Sequence, residues 1–204
     1  MKYFGDAVIL CGGESRRMPY DKSLIKINGK YMIEAVYEKL TACFENVMLC
    51  ADSGDRFRAF ALEVIEDKIK GRIGPAVGIY SALSQATTKY VFMLACDMPL
   101  VNTRHIEYMK LTLERSSFAY DALIPMNGGF IEPLYGFYSA DIAERFKEEI
   151  SKGVYKIQNI LDKFNVLYLD EKHSKAFDEN LAMFTNINII SDLDKLSAYG
   201  EFYD

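Results

Sequence analysis

The chain has 204 residues, half of them apolar, with 13 Phe and 14 Tyr, which is enough for one substantial core and predicts one domain. A formal charge of -5 argues against a nucleic-acid duplex as partner and leaves local basic clusters free to bind small anions. No apolar run approaches the roughly 18 residues of a membrane span, and four cysteines without a C-x-x-C pair, beside only two histidines, argue against a zinc centre. Residues 1–6 are too short and polar for a signal peptide, so reduced cysteines in a cytoplasmic protein are expected.

The first element is an apolar strand over 7–10 that runs into Cys11, Gly12 and Gly13, then Ser15, Arg16, Arg17 and Lys22. Glycine lacks a Cβ, so a turn built on Gly12 and Gly13 lets backbone amides approach phosphate oxygens closely. Arg16, Arg17 and Lys22 supply charge to neutralise them. The paired glycines serve a plain tight turn equally well. Two familiar phosphate loops are excluded: a Walker A loop ending at Lys22 requires glycine where Arg16 and Asp21 stand. A dinucleotide fingerprint fails because Glu14, Ser15 and Arg16 follow Gly13.

Further along, 24–27 reads as an extended piece entering an Asn28-Gly29 turn. Met32, Ala35, Val36, Leu40 and Cys43 recur at helical spacing over 32–44. A strand over 46–51, a short helix over 56–61 and a brief strand at Val64-Ile65 come next. The glycine-rich link 71–74 then gives way to a helix begun by Pro75 and running to Ala86. The apolar strand 90–95 stops at Cys96-Asp97, and a helix over 103–113 is capped by Asn102 or Thr103. This alternation predicts an α/β fold, a mostly parallel sheet with helices on both faces. The second half is less regular: extended pieces at 122–125 and 134–138 joined through Asn127-Gly128-Gly129, a helix over 141–150, a strand over 166–169 and a closing helix over 190–199. No repeat or low-complexity tract interrupts it.

Three further segments are candidates for chemistry. Asp97 follows a strand, and ligands of parallel sheets collect at strand carboxyl ends. A carboxylate there either holds Mg²⁺, which shares its remaining positions with water and phosphate, or turns the chain before Pro99. Glu66-Asp67 closes another strand, as a solvated acidic loop or as an acceptor for base or sugar. Asn186 and Asn188 alternate along an extended F-T-N-I-N and would share a face. His105 and His173 sit among charged residues without an evident partner, and the aromatic residues read as core and surface filling.

L-C-G-G-E-S-R-R-M-P-Y-D-K-S-L resembles the L-x-G-G-x-S-x-R-M-G-x-D-K signature of the molybdenum cofactor guanylyltransferases, the MobA family. In the same order, V-I-E-D at 64–67 resembles that family's nucleotide-contacting segment. A-C-D-M-P-L at 95–100 resembles its magnesium-binding segment, and F-T-N-I-N at 184–188 its C-terminal F-x-N-x-N. Related transferases for CTP or sugar phosphates usually carry L-A-A-G, so Gly12 favours the guanylyl branch. Pro19 replaces the family glycine, Cys50 a family asparagine, and Ile189-Ile190 the frequent Thr-Pro.

The resemblance implies a Rossmann-like, nucleotide-diphospho-sugar transferase type of fold. It further implies transfer of GMP from GTP to molybdopterin, with pyrophosphate released. It assigns nucleotide contacts to Leu10, Cys11, Gly12, Gly13, Lys22, Cys50, Asp67 and Asp97, and catalysis to Lys22, Asp97 and Arg16. Asp97 would bind Mg²⁺, and Asn186 and Asn188 would complete the acceptor or metal site. The nucleotide part would lie at about 1–113 and the acceptor part at about 114–204. Transient contact with proteins that make molybdopterin or receive the cofactor is implied as well.

Overall fold

Strand β1 (Phe4–Leu10) is buried from Gly5 onward, as a strand covered on both faces must be. Its side chains alternate: Ala7 and Ile9 enter one core, Val8 and Leu10 the other. The computed structural model describes residues 2–11, 25–27, 29–71 and 74–187. A two-residue ladder of β2 (Lys26–Ile27) and β3 (Lys30–Tyr31) flanks the Asn28-Gly29 position, and Gly29 has φ of 82°, as a tight turn demands. Helix α1 (Met32–Thr41) follows, shorter than the predicted 32–44. The amides of Cys43 and Phe44 both turn back to the Leu40 carbonyl, so the last predicted turn is tightened out of the helix.

Next come β4 (Asn46–Ala51), a 3-10 turn at Asp55–Phe60 in place of the predicted short helix, and β5 (Val64–Glu66). Helix α2 (Pro75–Leu83) starts at proline and ends before the expected Ala86, and its residues 76–83 are all buried. Strand β6 (Tyr90–Ala95) has the predicted bounds, and α3 (Thr103–Arg115) is capped by Asn102, whose side chain accepts the His105 amide at 3.0 Å. The second half holds β7 (Ala122–Asn127), β8 (Phe130–Ile131) and β9 (Tyr135–Ser139). A 3-10 turn at Ala140–Ile142 precedes α4 (Ala143–Ser151), splitting the predicted single helix. Helix α5 (Ile157–Leu161), strand β10 (Val166–Leu169) and helix α6 (Glu171–Lys175) complete the regular elements among the described residues. The predicted closing helix over 190–199 lies outside them.

The sheet runs β10-β7-β9-β6-β1-β4-β5, with β8 paired to β7. The stretch β6-β1-β4-β5 is parallel throughout, and β10 is parallel to β7. Strand β9 runs against both β6 and β7. Helices α1 and α3 cover one face, while α2, α4 and α5 cover the other, so the α/β sandwich expected from sequence is present. Opposite the functional edge, Asp6 is buried and takes hydrogen bonds from Asn46, from Thr87 and from the Thr88 amide, which clamp the starts of three strands. No helix among the described residues is long and apolar enough to cross a membrane.

Candidate active site

Four neighbouring parallel strands end on one edge, where Leu10 stands in register with Cys50 on one side and Ala95 on the other. The ladder continues one residue further: Cys11 N donates to Cys50 O at 2.8 Å, Cys96 N to Leu10 O at 3.2 Å, and Asp67 N to Ala51 O at 2.9 Å. Asp97 follows in a turn closed by the Met98 amide on the Ala95 carbonyl at 3.1 Å. Leu10, Cys11, Cys50, Asp67 and Asp97 therefore share one edge. Three strand steps separate β5 from β6, about 14 Å at the usual interstrand spacing, a span suited to an extended nucleotide. Gly12, Gly13, Arg16, Lys22 and Asn188 lie outside the described residues. Cys11 precedes the first four of these in the chain and stands in the middle of this edge.

Side-chain burial sorts the described residues by what they present. Leu10 and Cys11 are buried, and the Leu10 carbonyl and Cys11 amide are engaged by neighbouring strands, so both residues are held firmly in the sheet edge. Cys50 is only 1% exposed, and its thiol lies 3.5 Å from both Asp67 Oδ1 and the Gly78 carbonyl. Burial, and then the neighbouring Asp67 charge, push that thiol far above its ordinary pKa, so it stays a neutral donor. Cys50 thus reaches the edge through Asp67, which is half-buried. A Cβ on Gly78 would stand 3.1 Å from Leu10 Cδ2, so glycine there lets α2 close onto β1. The resemblance gave Cys50 a nucleotide contact in the place of a family asparagine, and sequence reading passed over Gly78. The signal for both was their place, at a strand end and in the first turns of an apolar helix.

Asp97 is half-buried, and its carbonyl accepts the Ile187 amide at 2.8 Å. That bond draws Asn186 to the Asp97 end of the edge, where it is exposed. The strand expected over 184–188 is absent from its described part: Ala182–Phe184 forms a 3-10 turn, and 185–187 is irregular. The described part of this segment thus offers no ladder for a period-two face, only the single backbone bond to Asp97, and Asn188 lies outside the described residues. The described residues hold no group of three or more His, Cys, Asp or Glu side chains able to cage a cation. One half-buried carboxylate at an open strand end fits Mg²⁺ instead, an ion that usually takes one or two carboxylates and completes its shell with water and phosphate. His105 departs furthest from expectation: it is fully buried among Tyr135, Phe177 and Phe184, with Nε2 3.1 Å from Ser174 Oγ.

A mostly parallel sheet that brings two carboxylate-bearing strand ends to one edge, beside the point where Cys11 leaves β1, has the architecture of an α/β nucleotide-binding protein. Among solved structures, the chain is similar to molybdopterin-guanine dinucleotide biosynthesis protein A from Archaeoglobus fulgidus, with a TM-score of 0.81 and 30% identity over 96% of this chain and 98% of that one. It shares the fold alone with a CMP:2-keto-3-deoxy-manno-octonic acid synthetase complexed with CTP, at a TM-score of 0.69 and 15% identity over 97% of this chain and 98% of that one. The MobA-like NTP transferase domain matches residues 7–166, and the chain belongs to that family of nucleotidyltransferases. It is 34% identical to a probable molybdenum cofactor guanylyltransferase of Peptoclostridium acidaminophilum, over 96% of this chain and 90% of that protein. It is also 34% identical to the molybdenum cofactor guanylyltransferase of Syntrophotalea carbinolica, over 97% of this chain and 92% of that protein.

Proposed function

We propose that this protein transfers GMP from GTP to molybdopterin, forming molybdopterin guanine dinucleotide and pyrophosphate. The observation that carries the reading is the common edge that holds Cys11, Asp67 and Asp97 at the ends of three strands of one parallel set. A phosphate oxygen of molybdopterin attacks the α-phosphorus of GTP, the bond from that phosphorus to the bridging oxygen breaks, and pyrophosphate leaves. The nucleophile is already an anion, so no general base is required. The barrier is the approach of one anion to another, and the protein lowers it by alignment and fixed positive charge.

Leu10 and Cys11 anchor a loop whose Gly12 and Gly13 amides hold phosphate, while Lys22 and Arg16 stabilise the triphosphate and the departing pyrophosphate. Asp67, held by the Cys50 thiol, borders the guanosine. Asp97 would hold Mg²⁺, which would neutralise phosphate charge, and Asn186 with Asn188 would complete that end of the site. Residues 1–113 serve the nucleotide and 114–204 the acceptor. A soluble substrate of this kind fits a cytoplasmic enzyme that meets molybdopterin-making and cofactor-receiving proteins transiently.

Thermal unfolding with Mg²⁺ and each of the four nucleoside triphosphates tests the nucleotide assignment. GTP near a hundredfold excess over Kd raises Tm by about 5–10 °C, and the other three raise it far less. A larger shift with CTP than with GTP overturns the guanylyl assignment in favour of a cytidylyl or sugar-phosphate transferase.

A further inference from the structure

Beside the strand-end edge, on the face covered by α2 and α5, lies a hollow of about 660 Å³, within the range of small-molecule pockets. Its walls come from Pro75 at the start of α2, the β7–β8 hairpin, the start of α5 and the outer strand β10. Five large hydrophobic side chains are exposed among the described residues, and three of them meet here: Phe130 at 78%, Tyr155 at 46% and Tyr168 at 39%. Tyr3, by contrast, stacks on Phe118 at 3.6 Å. Aromatic surface concentrated in one concavity marks a binding surface rather than scattered exposure.

The presentation of these rings is fixed locally. Gly128 and Gly129 take φ of 57° and 81° to turn the hairpin, and the Gly128 amide donates to Glu171 Oε2 at 2.7 Å, which ties the tip to α6. Asp162 also lines the hollow, and its charge, after burial, helps raise the Tyr168 phenol's pKa. The hollow is also joined to the reaction edge. Leu134 forms part of its wall, and the Leu134 carbonyl accepts the Ala95 amide at 2.9 Å, two residues before Asp97. On the other side, the helix begun by Pro75 places Gly78 against Leu10, Cys50 and Asp67.

Resting on the guanylyl-transfer reading above, we propose that this hollow binds the pterin ring of the acceptor, with Phe130, Tyr155 and Tyr168 against its faces and Asp162 at its amino-pyrimidinone edge. A pterin is flat and heteroaromatic, so stacking on aromatic side chains suits its faces. Its 2-amino-4-oxo edge carries adjacent N–H donors, which a single carboxylate accepts as a pair. The phosphate sits at the opposite end of molybdopterin. Seating the donor edge at Asp162 therefore leaves the phosphate to emerge along Leu134 toward Asp97.

The test combines acceptor kinetics with direct pterin binding. With molybdopterin varied at saturating GTP, Tyr155→Ala, Phe130→Ala and Asp162→Asn each raise the acceptor KM on the order of tenfold, while the GTP-induced rise in Tm keeps its wild-type size. The wild-type protein quenches the fluorescence of 6-hydroxymethylpterin in a saturable titration without GTP, and the Phe130→Ala, Tyr155→Ala double variant does not. An unchanged acceptor KM in the double variant, or no saturable quenching by the wild type, overturns the pocket while leaving guanylyl transfer intact. Absence of a GTP-induced Tm rise in the wild type, with pterin quenching retained, instead overturns the guanylyl-transfer reading.

Discussion

In the proposed reaction, Asp97 is the residue on which the chemistry depends most. It is the described carboxylate at the end of β6, and the Ile187 amide holds its carbonyl in place. Asp97→Ala lowers kcat by at least on the order of 10²-fold, the usual cost of losing a preorganised electrostatic group; near-normal turnover at saturating Mg²⁺ and GTP would remove it from the metal role. His105 makes a separate prediction about stability. Burial pushes its pKa down to about 4 from 6.5, so the folded protein keeps the ring neutral while the unfolded chain protonates it. Its contribution is complete above pH 6.5, falls as the pH drops through the interval to about 4, and amounts to about 3 kcal/mol across it. Urea unfolding at a series of pH values reads this directly: His105→Gln flattens the slope in that window, and an identical slope in the variant contradicts the assignment. None of this was visible in the sequence. Arg104 and Glu107 suggest a solvated helix face, and the rings that bury His105 arrive from residues 135, 177 and 184.

At the scale of elements, strand β9 joins the two halves of the sheet, and its fit depends on Gly136. A Cβ there would lie 2.8 Å from the Leu123 carbonyl and 2.6 Å from Ile124 Cδ1, and a backbone carbonyl has little room to yield. Gly136→Ala therefore destabilises the fold by about 1–3 kcal/mol in urea unfolding, whereas an unchanged midpoint would mean that β7 and β9 lie further apart. The strand itself was legible, since 134–138 is a nearly unbroken apolar run. Its direction was not: pairing with β6 on one side and β7 on the other is a non-local choice that no local pattern encodes. The reverse holds for β1, β4, β5 and β6. Each is a short apolar run closed by glycine or a polar residue and followed by helical or turn residues, so both their type and their parallel orientation could be anticipated. The hairpin at Asn127-Gly128-Gly129 was read as the link between β7 and β9. It instead folds β8 back on β7, because two residues with positive φ make a tight reversal immediately.

For the whole molecule, two cores on opposite faces of one sheet fix the strand ends, and the strand ends fix the site. Motif order along the sequence anticipated this convergence for Cys11, Cys50, Asp67 and Asp97. It did not reveal that Cys50 acts beneath the surface through Asp67, nor that Ile187 is tied to Asp97 by one backbone bond, because both are contacts across 17 or more residues. The acceptor side was the least legible part, since exposed and buried aromatics look alike until a fold separates them. The most direct test of the central claim mixes the purified protein with molybdopterin, Mg²⁺ and each nucleoside triphosphate in turn, and follows pyrophosphate together with the mass of the product. Pyrophosphate released with GTP in equal amount to a guanine dinucleotide is the predicted result. Turnover with CTP in preference to GTP, or with none of the four, would contradict it.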